Sequence, residues 1–71
     1  MKSYADRVID AMGGTSAVAQ MSKTPTSTVH SWRKNGIPDA RLDHLKLVAN
    51  REGLSIDWST GERLHEKADA A

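Results

Sequence analysis

The spacing of Ala19, Val29 and Trp32 limits the fold of this chain more than any other feature. All three lie in one run between Thr15 and Lys34, TSAVAQMSKTPTSTVHSWRK. Ala19 and Val29 stand ten residues apart, and Trp32 follows Val29 by three. In two helices joined by a short turn, a small residue in the first admits close crossing by the second. Val29 and Trp32 then sit one turn apart on the second helix's inward stripe. Val18 and Met21 continue the inward face of the first. Thr24 is placed as N-cap of the second helix, its hydroxyl accepting a first-turn N–H. Pro25 takes the first helical position, where a missing N–H costs nothing. That helix is predicted from Pro25 to about Asn35, with Gly36 as a left-handed stop.

The pattern has the form of a helix-turn-helix, whose second helix is offered to a DNA major groove. At about 100° per residue, Thr26, Ser27, His30 and Lys34 cluster away from Val29 and Trp32, with Ser31 and Arg33 on the flanks. No carboxylate stands among them. An ordinary solvated helix face mixes Glu with Lys, whereas hydroxyls, an imidazole and amines suit base edges and phosphates. The bland alternative is a polar surface that lacks acids by chance.

Seventy-one residues make one small domain. The absence of cysteine rules out disulfides and cysteine-ligated zinc and suits an intracellular setting. No apolar run approaches the length of a membrane span, and no signal peptide is expected. The candidate core is Val8, Ile9, Met12, Val18, Met21, Val29, Trp32, Ile37, Leu42, Leu45 and Val48, with Leu54 at its edge. Net charge is only +1, but its distribution is uneven. Lys23, Arg33, Lys34, Arg41, Lys46 and Arg51 face only Asp39 and Asp43 in the middle of the chain. Beyond that, Glu52, Asp57, Glu62, Glu66 and Asp69 outnumber Arg63 and Lys67. A basic middle and an acidic tail fit a phosphate-facing surface with the tail turned away.

The expected architecture is all-α, a small bundle of four to five helices. Helix one is predicted over Ser3 to Met12, capped by Ser3 and ended by Gly13-Gly14. Thr15 or Ser16 caps helix two, which runs to about Met21. Ile37, held before Pro38 in a loop, plugs the core. Asp39 favours the N-terminal dipole of helix four. Leu42, Leu45 and Val48 give that helix its inward stripe, and Gly53 ends it. Residues 1–54 form the candidate DNA-binding domain and 55–71 a C-terminal tail, a weak fifth helix over Thr60 to Asp69 or partly disordered. Ser55 to Trp58 also alternates as a short strand would, but Ile56 and Trp58 alone make a thin one, so the helix is preferred.

The run YADRVIDAMGGTSAVAQMSKTPTSTVHSWRKNGIPDARLDHLKLVA resembles the Cro-type repressors of lambdoid phages and, more broadly, YdaS-like helix-turn-helix proteins. The resemblance rests on VID and the following glycines, AVAQ, STVHSW, GIP and a leucine-spaced helix, and covers roughly residues 4–50. It implies a short transcriptional repressor in the cytoplasm of a bacterial host. It implies a pseudo-palindromic double-stranded DNA operator and a homodimer, at least on DNA. Members of the family end either in a further helix or in strands. Two departures stand out. The turn before the second helix usually carries Gly, because one residue there tends to need positive φ, and Lys23 occupies that place with implied mild strain. Pro25 is early for a recognition helix, which shifts base reading onto Thr26, Ser27, His30 and Lys34.

On this reading Thr26, Ser27 and His30 address base edges and Lys34 reaches guanine or phosphate. Thr15, Ser16, Lys23, Ser31, Arg33 and Arg41 are the expected phosphate contacts. His30 read blandly is a solvated side chain, and His44 and His65 are surface residues. Their scatter makes no metal site, and no cofactor is expected. Ser27 and His30 share a face without an acid to orient the imidazole, so catalysis is not expected. The rival readings are a regulator with a protein partner, antitoxin-like, and an interaction module that binds no DNA.

Overall fold

Among the described residues, four helices are followed by a short hairpin. The computed structural model describes residues 2–64. The helices are α1 Tyr4–Ala11, α2 Thr15–Ser22, α3 Thr26–Asn35 and α4 Asp39–Arg51. Strands β1 Ile56–Asp57 and β2 Glu62–Arg63 pair antiparallel, with Ile56 opposite Arg63 and Asp57 opposite Glu62.

Local chemistry explains most helix ends. Ser3 Oγ accepts the Asp6 N–H at 3.1 Å while the Asp6 carboxylate accepts the Ser3 N–H at 3.4 Å, a reciprocal capping box. The α1 carbonyls close through Gly14 N–H to Ile9 O at 2.9 Å. Helix α2 starts after Gly14, not behind a Thr15 or Ser16 cap; Thr15 is already helical and its side chain is used elsewhere. Its far end closes in the same way as α4. The Thr24 N–H reaches Ala19 O at 2.9 Å, and the Leu54 N–H reaches Ala49 O at 2.8 Å. Gly53 holds the positive φ in the second case, 75°, and Lys23 holds it in the first, 55°.

The core is a single cluster of Val8, Ile9, Met12, Val18, Ala19, Val29, Trp32, Leu45, Val48, Ala49 and Ile56. Met21, Ile37 and Leu54 pack on it half-buried, joined by Tyr4, Ala11 and Trp58. Leu42 departs from the expected stripe. It lies one turn before Leu45, half-buried, and is not among the side chains packed on the cluster.

Residues 60–64 do not begin the expected fifth helix. From Thr60 to Leu64 the chain is turn and strand, and residues 65–71, including His65, lie outside the described part. The cause is turn chemistry. The Asp57 carboxylate accepts the Ser59 N–H at 3.0 Å, and the Asp57 carbonyl accepts the Gly61 N–H at 2.7 Å. The reversal lets Ile56 enter the core, 6% exposed, and brings the hairpin against α1. Tyr4 ties the two by donating its hydroxyl to the Trp58 carbonyl. Trp58 therefore belongs to the core's edge, and burial at that edge raises the Tyr4 phenol's pKa, with the Asp57 charge adding to the shift.

Gly61 sets how closely the hairpin docks. Its φ is 84°, and a β-carbon there would stand 3.1 Å from Arg7 Cβ, 3.2 Å from Tyr4 O and 3.2 Å from Val8 Cγ2. Gly61→Ala is expected to destabilise the protein by about 1–3 kcal/mol, from backbone strain and overpacking together. Urea unfolding followed by circular dichroism measures it, and an unchanged midpoint would mean that the hairpin does not dock here.

Candidate functional site

Helix α3 divides into two unlike sides. Val29 and Trp32 are its buried residues, and they hold it to the bundle. Thr26, Ser27, His30 and Lys34 are all exposed, so the structure brings these four sequence-selected side chains onto one open face. Thr28 and Asn35 are also exposed, but helical spacing puts them on the Trp32 flank, away from this face. Ser31 is half-buried, and its hydroxyl accepts from Asn35 Nδ2 at 3.2 Å. The helix contains no acid.

The start of α3 differs from expectation. Pro25 has φ −58° and ψ 143°, extended values, so it is the N-cap and the first helical residue is Thr26. The cap thereby moves one residue past Thr24. Thr24 Oγ1 stands 3.0 Å from Ser22 Oγ, which itself donates to Val18 O at 2.6 Å. The threonine hydroxyl thus braces the turn and makes no cap. At the other end, Gly36 has the expected positive φ, 93°, but a ψ of 160°. It opens the chain into an extended exit in place of a left-handed cap.

Lys23 sits in the turn, exposed, with φ 55° and ψ 45°. It is the non-glycine residue with positive φ among the described residues. The strain anticipated from sequence is present. Lys23→Gly is expected to stabilise the fold by about 0.5–1 kcal/mol by relieving the left-handed penalty, offset in part by glycine's larger unfolded-state entropy. If the ammonium serves a phosphate, the same variant loses affinity for duplex DNA while gaining thermal stability. A variant that melts earlier would overturn the strain argument.

Arg33 is placed differently from expectation. Its Nη1 donates to Asp6 Oδ1 at 2.9 Å, its Nη2 to Asp10 Oδ1 at 2.7 Å, and its Nε to Thr15 Oγ1 at 2.9 Å. The guanidinium is neutralised inside the molecule and does not join the open face. Thr15, expected on a phosphate, spends an acceptor lone pair on this contact. The signal was present in the sequence. Arg33 follows Val29 by four and so stacks beside the inward stripe, while Asp6 and Asp10 stand four apart on one side of α1. Ser16 and Arg41 are exposed on α2 and α4, and Arg41 has no ion pair among the described residues.

The cluster responds to acid. Arg33 holds the Asp6 carboxyl below the usual range, helped by Ser3, and Lys2 followed by Arg33 does the same for Asp10. The Arg33 pKa is raised in return by Asp10 and Asp6. Because both carboxyls ionise more readily when folded, the unfolded chain takes up protons first as pH falls. The cluster's contribution is complete above about pH 4 and is lost as pH drops through the lowered folded values. The melting temperature of the native chain is therefore expected to fall more steeply below pH 4 than that of an Asp6→Asn, Asp10→Asn variant. Parallel curves would mean that the cluster lends the fold no acid-sensitive stability.

A concavity between α1 and the hairpin is lined by Lys2, Arg7, Asp10, Glu62 and Arg63, with no serine, threonine, cysteine or histidine in its wall. No group of three His, Cys, Asp or Glu side chains that could hold a metal ion occurs among the described residues. No helix among them is long and apolar enough to cross a membrane. No protein-family model, characterised protein or solved structure matches the chain.

Proposed function

We propose that this protein is a DNA-binding transcriptional regulator of the Cro-like kind, in which α2 and α3 act as a helix-turn-helix and α3 enters the major groove. The observation that carries the reading is the division of α3. Its two large apolar side chains are buried, and an acid-free set of hydroxyls, imidazole and amine stands exposed along the other side. Thr26, Ser27 and His30 read base edges, and the Thr26 methyl can meet a thymine methyl. Lys34 reaches guanine or phosphate. Lys23 and Arg41, exposed and outside the ion pairs described, neutralise backbone charge, and Ser16 donates a hydroxyl. Repression follows by occlusion, since a bound protein covers promoter DNA that polymerase needs.

The test is fluorescence anisotropy with a labelled mixed-sequence duplex across a salt series. Three cationic contacts predict that log affinity falls with log salt with a slope of about −3. Selection from a random oligonucleotide pool then reports the preferred bases, and half-sites spaced by about one helical turn would mark a dimer. Failure to bind the duplex in dilute buffer would end the proposal.

A further inference from the structure

We propose that Arg33 is a positioning residue that fixes the roll and axial placement of α3 by clamping it to α1 and α2, and that it is not a phosphate ligand. This inference rests on the reading of α3 as a DNA-contacting helix. Two buried side chains, Val29 and Trp32, attach α3 to the core. Apolar burial is non-directional, so a stripe this narrow sets which side faces inward but constrains rotation and sliding poorly. Charge-assisted hydrogen bonds have direction.

One guanidinium supplies three of them, to Asp6 and Asp10 on α1 and to Thr15 at the start of α2. Three helices thus meet at a single planar fork. The clamp sits next in sequence to Lys34 and three residues after His30, so a change in the roll of α3 moves the exposed face directly. The side chains involved are only partly covered, 22% exposed for Arg33 and 27% and 35% for Asp6 and Asp10. Ion pairs of that exposure add little to stability, which allows the clamp to be removed from a folded protein. Asp6 and Asp10 also keep the Arg33 flank of α3 unattractive to a phosphate.

The experiment compares two duplexes, the one recovered by selection and a mixed-sequence one, for three proteins: the native chain, Arg33→Lys, and Asp6→Asn with Asp10→Asn. Lysine keeps the charge but lacks the planar fork that spans three acceptors. The ratio of selected to mixed-sequence affinity is expected to fall about tenfold in both variants, because misplaced side chains lose base readout. The salt slope on the mixed-sequence duplex stays the same in Arg33→Lys. A phosphate ligand gives the opposite pattern: lysine preserves the ratio, and removing the two carboxylates frees Arg33 and tightens both duplexes without loss of discrimination. Either result overturns the clamp. Unfolding of both variants, seen by circular dichroism, would make the network a stability element and overturn it too. A native chain that binds neither duplex overturns the proposed function itself. A native chain that binds while the variants keep their ratio overturns the clamp alone.

Discussion

Trp32→Ala is expected to cost the protein about 3–5 kcal/mol of stability. Trp32 is 5% exposed and is the bulkier of the two side chains that hold α3 in the core. Emptying such a site costs about 3–5 kcal/mol. A chain of this size has about 4–10 kcal/mol of total stability, so the loss removes between about a third and all of it. Helix α3 should go first, since Val29 alone then attaches it to the cluster. Urea unfolding monitored by circular dichroism measures the loss, and the hydrogen-exchange protection of α3 amides localises it. A cost below about 1 kcal/mol would show that Trp32 does not sit in the core, and the division of α3 on which the function rests would fail with it.

Placing carboxylates on the open side of α3 should abolish DNA binding and spare the fold. Ser27 and Lys34 are both exposed and lie seven residues, two turns, apart on one stripe. On the proposed docking, Ser27→Glu with Lys34→Glu brings negative charge into a groove flanked by phosphates. Like charges brought together across an interface cost several kcal/mol. At 1.4 kcal/mol per tenfold, affinity for a mixed-sequence duplex should drop by at least about 100-fold. Arg63→Glu with Leu64→Glu makes the same change in net charge on the exposed end of the hairpin. That control should weaken binding only modestly. Equal losses in the two proteins would mean that overall charge, and not the α3 face, governs association.

The helical part of the fold was legible because its signals are local. Ser3 with Asp6 three residues later writes the start of α1, and the apolar spacing of Val8, Ile9 and Met12 writes its inward side. Lys23 could be read as strained from its place between two helices alone. The hairpin was harder, since Ile56 is its one buried apolar side chain and its fold depends on Asp57 reaching over Ser59 and on Gly61 meeting α1. A two-residue strand carries too little periodicity to outweigh a helical reading of the residues after it. The start of α3 lies one residue later than cap preferences indicate, because Thr with a following Pro is the favoured N-cap and N1 pair, whereas Pro25 here is extended, with ψ 143°. Arg33 looked like a surface cation because its partners come from α1 and α2, far along the chain. A helical wheel of α3 alone cannot show them.

The open side of α3 was the most accessible part of the site, because burial of Val29 and Trp32 determines it by elimination. The most direct test of that side is a titration of the labelled protein with a mixed-sequence duplex, followed through its backbone amide resonances. The largest shifts are expected at Lys23, Thr26, Ser27, His30 and Lys34, with the hairpin at 56–63 nearly silent. Large shifts across the hairpin and α1 with α3 unmoved would contradict it.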